Sequence, residues 1–266
     1  MTLYNEETIS QAIHTKWAGK TVHFARETDS TNTWAKKLAK EGAEHGTLAV
    51  AEFQSAGRGR FDRKWTAPEG SSIMMTLLLR PEFSPQYASM LTLVMGLSVA
   101  QAVEEAGFEV SIKWPNDVVV SRKKISGILT EMGVQGTEIG YVIIGVGINV
   151  NLKEFPEEVQ DKATSLYLES GQEYDRSLMI GLVMKYFETN YEKFVQTCDF
   201  RNLLADYHKM LININQPVRV LDKNNGFQGV CLGIDEKGEL LVKKEDSTVE
   251  KVSAGEVSVR GLYSYV

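Results

Sequence analysis

Two cysteines, Cys198 and Cys231, are all that this chain of 266 residues contains; they lie far apart and form no Cys-x-x-Cys pair. That scarcity excludes a zinc ribbon and a disulfide framework, and makes a reducing, cytoplasmic compartment the expected one. Positive charge is also in short supply. A formal net charge of -6 argues against nucleic acid as the main partner, because binding a phosphate backbone needs a net basic face. The first residues, Met1 to Glu7, hold neither a basic nor an apolar stretch, so no signal peptide is expected. The most apolar run, Tyr87 to Val103, is interrupted by Ser89, Thr92, Ser98 and Gln101 and reads as a buried helix, not a membrane span. Repeats and low-complexity tracts are missing. What remains is an ordinary globular composition, 43% hydrophobic and 24% charged, with length for a large and a small domain at about 150 residues per domain.

The scarce positive charge is concentrated. Residues 54–65 read Gln-Ser-Ala-Gly-Arg-Gly-Arg-Phe-Asp-Arg-Lys-Trp and hold four cations, Arg58, Arg60, Arg63 and Lys64, with Gly57 and Gly59 between them. Glycines around an arginine predict a loop that takes positive φ and brings its backbone close to a ligand. Guanidinium groups stay charged at any working pH and present a planar fork to phosphate and carboxylate oxygens. The tract does not repeat, and apolar strands over Thr47–Phe53 and Ser72–Leu79 clamp it. In an acidic body this is a local pocket feature, suited to a small anionic ligand.

Along the chain, Glu6 to Thr15 reads as a short helix and Val22 to Arg26 as a strand. Asp29, Ser30 and Thr31 are capping residues for a helix that carries Trp34, Ala35, Leu38 and Ala39 and stops at Gly42. Ser84-Pro85 opens a helix that Gly107 closes. Val110 to Trp114 and Val118 to Val120 form a hairpin around Pro115-Asn116-Asp117, and a basic turn, Ser121 to Lys124, leads into a strand over Ile125 to Met132. Tyr141 to Ile148 is a buried strand whose Gly145 and Gly147 admit a close neighbour, either packed backbone or a ligand. Leu178 to Val195 and Arg201 to Met210 read as helices, the first with a core stripe from Leu182 to Val195. From Asn215 onward, short strands and tight turns at Asn224-Asn225-Gly226 and Lys237-Gly238 predict a β-barrel of roughly 50 residues, docked on the first domain. The boundary falls near Ile212 to Gln216, giving domains 1–213 and 214–266.

Taken together, Ser30-Thr-Asn, Gly57-Arg-Gly-Arg-x-x-Arg-x-Trp65, Lys113-Trp-Pro-Asn-Asp117, Lys124-x-x-Gly-x-Leu-x-Glu131 and Gly145-x-Gly-Ile-Asn149 resemble the biotin protein ligases, or biotin-[acetyl-CoA-carboxylase] ligases. Asp62 departs from the glycine frequent in that family. The resemblance implies an α/β fold of the α+β type, with a mixed, mostly antiparallel sheet backed by helices, related to class II aminoacyl-tRNA synthetases and followed by an SH3-like β-barrel. It implies that biotin's carboxylate attacks MgATP to give biotinyl-5'-AMP, and that a lysine of a biotin carboxyl carrier protein or domain then takes the biotinyl group. Carried over by position, Arg60, Lys124 and Asp117 are the catalytic candidates. Ser30, Thr31, Asn32, Gln54, Arg58, Gly59, Arg60, Lys124 and Gly127 are implied to bind biotin. Arg58, Arg60, Arg63, Trp65, Lys113, Asn116, Lys124 and Asn149 are implied to bind ATP or the adenylate. Magnesium enters with ATP, and no residue is assigned to it. Neither nucleic acid nor a membrane is an expected partner; monomer and homodimer both agree with the resemblance.

Three other classes compete. A lipoate ligase or octanoyltransferase shares the fold, but the Gly-Arg-Gly-Arg loop and Lys-Trp-Pro-Asn-Asp favour biotin. A biotin-sensing repressor needs a helix-turn-helix, for which the residues ahead of Val22 leave no room. An RNA-binding arginine-glycine protein conflicts with the acidic balance.

Overall fold

The structure is a computed structural model that describes residues 4–221, 226–254, 258–261 and 265–266, with Asp62 described by its backbone alone. The residues Asn224 and Asn225 of the expected turn, and the Asp62 side chain, lie outside this description.

In chain order the first unit contains α1 (Glu6–Ala12), β1 (Val22–Thr28), α2 (Thr31–Lys40), β2 (Leu48–Gln54), β3 (Ser72–Leu79) and α3 (Leu91–Glu105). It continues with β4 (Val110–Lys113), β5 (Asp117–Val120), β6 (Lys123–Gln135), β7 (Glu138–Asn149), α4 (Leu166–Ser170), α5 (Arg176–Val195) and α6 (Leu204–Met210). The seven strands form one sheet in the order β1-β2-β3-β7-β6-β5-β4. Only β1 and β2 run parallel; every other neighbouring pair is antiparallel.

Burial follows from the strand sequences. All of β3 is buried, as its unbroken apolar run requires of a strand covered on both faces. Leu48, Val50, Met75 and Leu77 join the main core with α3 and α5, whereas Ala49, Leu78 and Ile143 pack on the opposite face against Ala35 and Ala39 of α2. Small residues let α2 sit close to the sheet. Helix α2 ends at Gly42, whose φ of 92° is open to glycine at little cost. The segment Pro85–Glu105 is the one described helix long and apolar enough to cross a membrane by composition, but 72% of it is buried in this core.

Some boundaries differ from the sequence reading. The helix expected from Ser84 starts as a 3-10 turn over Pro85–Met90 before α3. The helix expected from Arg201 begins at Leu204, because Asp199 accepts from the Arg201 backbone and holds a turn there. Helix α4 was not anticipated; Ser165 caps it and Gly171, at φ 75°, ends it. The hairpin of β6 and β7 runs past Met132 and Tyr141 to Gln135 and Glu138, since Gly133 lets the Tyr141 ring lie against the strand.

The second unit holds β8 (Pro217–Leu221), β9 (Phe227–Ile234), β10 (Leu240–Lys243), β11 (Val249–Val252) and β12 (Ser258–Gly261). They form an antiparallel sheet in the order β11-β10-β9-β8-β12, the expected SH3-like module. Its inner residues, among them Val218, Val220, Ile234, Leu240 and Val242, belong to the same hydrophobic cluster as the large sheet. Trp114, only 1% exposed, donates from Nε1 to the Gly238 carbonyl at 3.1 Å. The backbone N–H of Phe200 donates to the Glu236 carbonyl at 2.7 Å, across the junction.

Candidate active site

The inner part of the site is built where α2 begins beneath the sheet. Gln54, the last residue of β2, accepts at Oε1 from the Thr31 backbone N–H (2.7 Å) and hydroxyl (3.0 Å). The Thr76 hydroxyl of β3 lies 2.8 Å from Thr31 Oγ1 and 2.7 Å from Asn32 Oδ1. Asn32 donates from Nδ2 to Glu131 at 2.8 Å, and Glu131 pairs with Lys36 at 2.5 Å. Each member is therefore held by its neighbour, so the polar groups of the pocket are preorganised. Ser30 occupies the N-cap position, but its hydroxyl makes no capping bond; that corrects the capping expectation. At 3% exposure it lines the pocket instead.

Two glycines of β7 make room. A Cβ on Gly145 would stand 2.1 Å from Asn32 Oδ1, and one on Gly147 would stand 2.3 Å from Trp65 Cε2. The close neighbours of this pair are side chains of the site, Asn32 and Trp65, and not the packed backbone that was one of its two readings.

The arginine loop is a small closed turn. The backbones of Arg58 and Lys64 pair antiparallel, the Gly59 N–H donates to the Arg63 carbonyl at 2.7 Å, and the Trp65 N–H donates to the Gly57 carbonyl at 2.9 Å. The expected positive φ at Gly57 and Gly59 does not occur; the left-handed residue is Phe61, at φ 57° and ψ 39°. Gly57 is needed for closeness instead, since a Cβ there would meet the Trp65 carbonyl at 2.3 Å. Within this turn Arg60 donates to Asn116 Oδ1 (3.1 Å) and to the Ala254 carbonyl (2.7 Å), linking the loop to both units. Burial pulls the Arg60 pKa down, with Asp117 opposing, yet a guanidinium keeps its charge at any working pH.

Beside this loop lies a charge cluster. Asp117, 8% exposed at the start of β5, sits 2.5 Å from Lys124 Nζ and 3.8 Å from Lys113 Nζ. The Tyr265 hydroxyl donates to its other oxygen, and the Tyr265 ring lies 4.3 Å from Lys113 Nζ. Burial works to raise the Asp117 carboxyl, but Lys124 and Lys113 outweigh it and hold it below the usual carboxylate value. Burial lowers Lys113 to about 8, against the pull of Asp117. One carboxylate thus orients two ammonium groups at a cavity wall whose balance is cationic.

Two adjoining cavities collect these groups. The inner one, about 50 Å³, is lined by Ser30, Thr31, Asn32, Gln54, Arg58 and Gly59, and further by Gly127 and Gly147. The outer one, about 660 Å³, is lined by Arg63, Lys113, Asp117 and Asn149, and further by Leu152 and Phe155. Arg60, Trp65, Asn116 and Lys124 line both, as do Gln54 and Gly59. All the residues singled out from the sequence therefore reach one continuous cleft. The outer volume falls within the roughly 300–1,000 Å³ of small-molecule sites and the inner one falls below it. Trp65 narrows it: its indole lies over Gly147 and Gly127, with a buried Nε1 that meets no acceptor among the described residues.

Sequence reasoning assigned no role to Thr76, Glu131 or Tyr265. Thr76 carried a signal, a fully buried hydroxyl in the apolar run of β3. Glu131 stood in a quoted motif, and Tyr265 had no signal at all.

Comparison with known proteins agrees with this arrangement. Residues 24–149 match the biotin/lipoate A/B protein ligase family, and residues 214–260 match the biotin protein ligase C terminal domain. The chain is 36% identical over 258 residues to the bifunctional ligase/repressor BirA of Bacillus subtilis, covering 96% of this chain and 79% of that protein. It is 34% identical to the biotin–[acetyl-CoA-carboxylase] ligase of Mycobacterium tuberculosis, covering 87% and 86%. The biotin protein ligase of Aquifex aeolicus, solved in complex with biotin and ATP, superposes with a TM-score of 0.79 at 34% identity, covering 91% of this chain and 99% of that one. With relatives at this identity aligned over most of both lengths, the chain belongs to the biotin protein ligase family.

Proposed function

We propose that this chain activates biotin with MgATP and transfers the biotinyl group to a lysine of a biotin carboxyl carrier protein or domain. The observation that carries the reading is the meeting of a preorganised polar pocket and a cationic cleft at Arg60 and Lys124. A carboxylate and a triphosphate repel one another, and fixed cations in a site that sheds water offset that repulsion.

In the first step a biotin carboxylate oxygen bonds to the α-phosphorus, the bond to the β-phosphate oxygen breaks, and pyrophosphate leaves. Ser30, Thr31, Asn32 and Gln54 orient the biotin head, with Arg58, Gly59 and Gly127 along the chain. Arg60 and Lys124 bridge the carboxylate and the α-phosphate. Arg63 and Lys113 face the phosphates; Trp65, Asn116 and Asn149 line the nucleotide side. In the second step the neutral acceptor amine bonds to the anhydride carbonyl carbon, the bond to the phosphate oxygen breaks, AMP leaves, and the amine proton passes to solvent. Asp117, ionised and engaged by Lys124, Lys113 and Tyr265, is better suited to orienting those cations than to taking the proton.

Magnesium suits this site as a companion of the nucleotide. The carboxylates lining the outer cavity are Asp117, engaged as above, and Glu154. Magnesium keeps waters and takes one or two carboxylates plus substrate phosphates, so it arrives on ATP, and Glu154 would be the second carboxylate of this cavity. The repressor half of the Bacillus subtilis relative's name belongs to that protein.

Incubation with biotin, MgATP and an apo-carrier domain tests the reading. Mass spectrometry should find one biotinyl group on one carrier lysine, and lipoate should give none. An unmodified carrier with biotin, or equal labelling by lipoate, would overturn it.

A further inference from the structure

Tyr265 stands four residues beyond β12, yet its side chain reaches the large sheet. Its hydroxyl donates to Asp117 Oδ2 while Lys124 takes Oδ1 at 2.5 Å, so the two carboxylate oxygens are divided between a fixed neutral donor and the bridging cation. Its ring, 4.3 Å from Lys113 Nζ, roofs the other ammonium group of the cluster. The ring also lines the outer cavity. No other phenol touches this carboxylate among the described residues.

We infer that Tyr265 is a positioning residue for adenylate formation, fixing the Asp117 carboxylate so that Lys124 and Lys113 are held toward the reacting oxygens. The inference rests on the ligase reading above. Arg60 is tied to the Ala254 carbonyl of the same unit, so both the loop and the lysine cluster take their final geometry from the C-terminal unit. That unit thereby acts on the chemistry through two hydrogen bonds.

The charges facing this carboxylate are Lys113 of β4, Lys124 of β6 and Arg60 of the loop, and Arg63 and Arg260 act on Lys113 and Tyr265. A hydrogen bond to the ionised form favours it, so removing the hydroxyl must raise the Asp117 pKa. Burial and the Asp117 charge push the phenol of Tyr265 far above its ordinary value, so it remains a donor across the working range.

The test uses the full chain carrying Tyr265→Phe, which keeps the ring and the fold and removes the donor. Carbon-13 titration of the Asp117 carboxyl, which needs no substrate, should show a higher pKa in Y265F than in the wild type. Biotin-dependent pyrophosphate release should fall on the order of tenfold in kcat, with the KM for biotin unchanged and the acid limb of the pH profile displaced upward. Tyr265→Ala, which also unroofs Lys113, should in addition move the basic limb upward. An unchanged Asp117 titration in Y265F overturns the inference, as does a uniform loss at every pH with no displaced limb. A wild type that releases no pyrophosphate while the titration shifts as expected would instead sink the ligase reading.

Discussion

Lys124 and Arg60 border both cavities, and the electrostatic account stands or falls on them. Losing one fixed cation at the reacting oxygens should slow adenylate formation by roughly 100- to 1,000-fold. Single-turnover assays of Lys124→Ala and Arg60→Ala should show that loss with the circular dichroism spectrum unchanged; wild-type rates in either variant would remove that residue from the mechanism. Lys113 gives a pH signature. Burial sets its folded pKa at about 8, so it is cationic below that value and neutral above it. If its charge serves the phosphates, pyrophosphate release declines as pH rises through about 8, and a rate profile flat beyond that point contradicts the assignment. The same burial has a consequence for stability. Because the folded pKa lies below the unfolded one, the unfolded chain binds the extra proton between the two values, and the penalty of burying Lys113 eases as pH rises through that window. At this scale the sequence was legible where a residue's type announces its chemistry, as with the arginines of the loop, Lys113 and Gln54. It was not legible for Gly57, whose use is the approach of the Trp65 carbonyl, nor for Phe61, which takes the positive φ that the glycines were expected to take.

Among the elements, the loop between β2 and β3 is the one expected to order over bound ligands. Its Trp65 indole lines the inner cavity and lies against Gly147. If biotin occupies the inner cavity, the indole is the side chain it meets over Gly147. Binding of biotin and ATP should therefore alter tryptophan fluorescence in the wild type, and the change should vanish in Trp65→Phe. Trypsin cleavage at Arg58, Arg60, Arg63 or Lys64 should slow when both ligands are present; equal cleavage with and without them contradicts ordering of the loop. The strands and long helices that carry this loop were readable from apolar runs and caps. Helix α4 and the outer half of the β6 and β7 hairpin were not, because short capped turns and glycine-bearing strand ends lack a periodic signal.

As a whole molecule, the chain behaves as two sheets sharing one hydrophobic cluster. The change of texture near Asn215 marked the second unit in the sequence, but the shared core could not be read there, since Trp114 and Gly238 meet only in three dimensions. Trp114→Ala should cost about 3–5 kcal/mol. Calorimetry of the wild type should give a single transition, and two well-separated transitions would show that the units fold independently. Across all scales the central claim is that a fixed cluster of cations joins two mutually repelling anions. Its most direct test is isotope exchange between labelled pyrophosphate and ATP, measured on the purified chain with biotin present or withheld. The account predicts exchange that requires biotin and disappears in Lys124→Ala; exchange that ignores biotin, or none at all in the wild type, would contradict it.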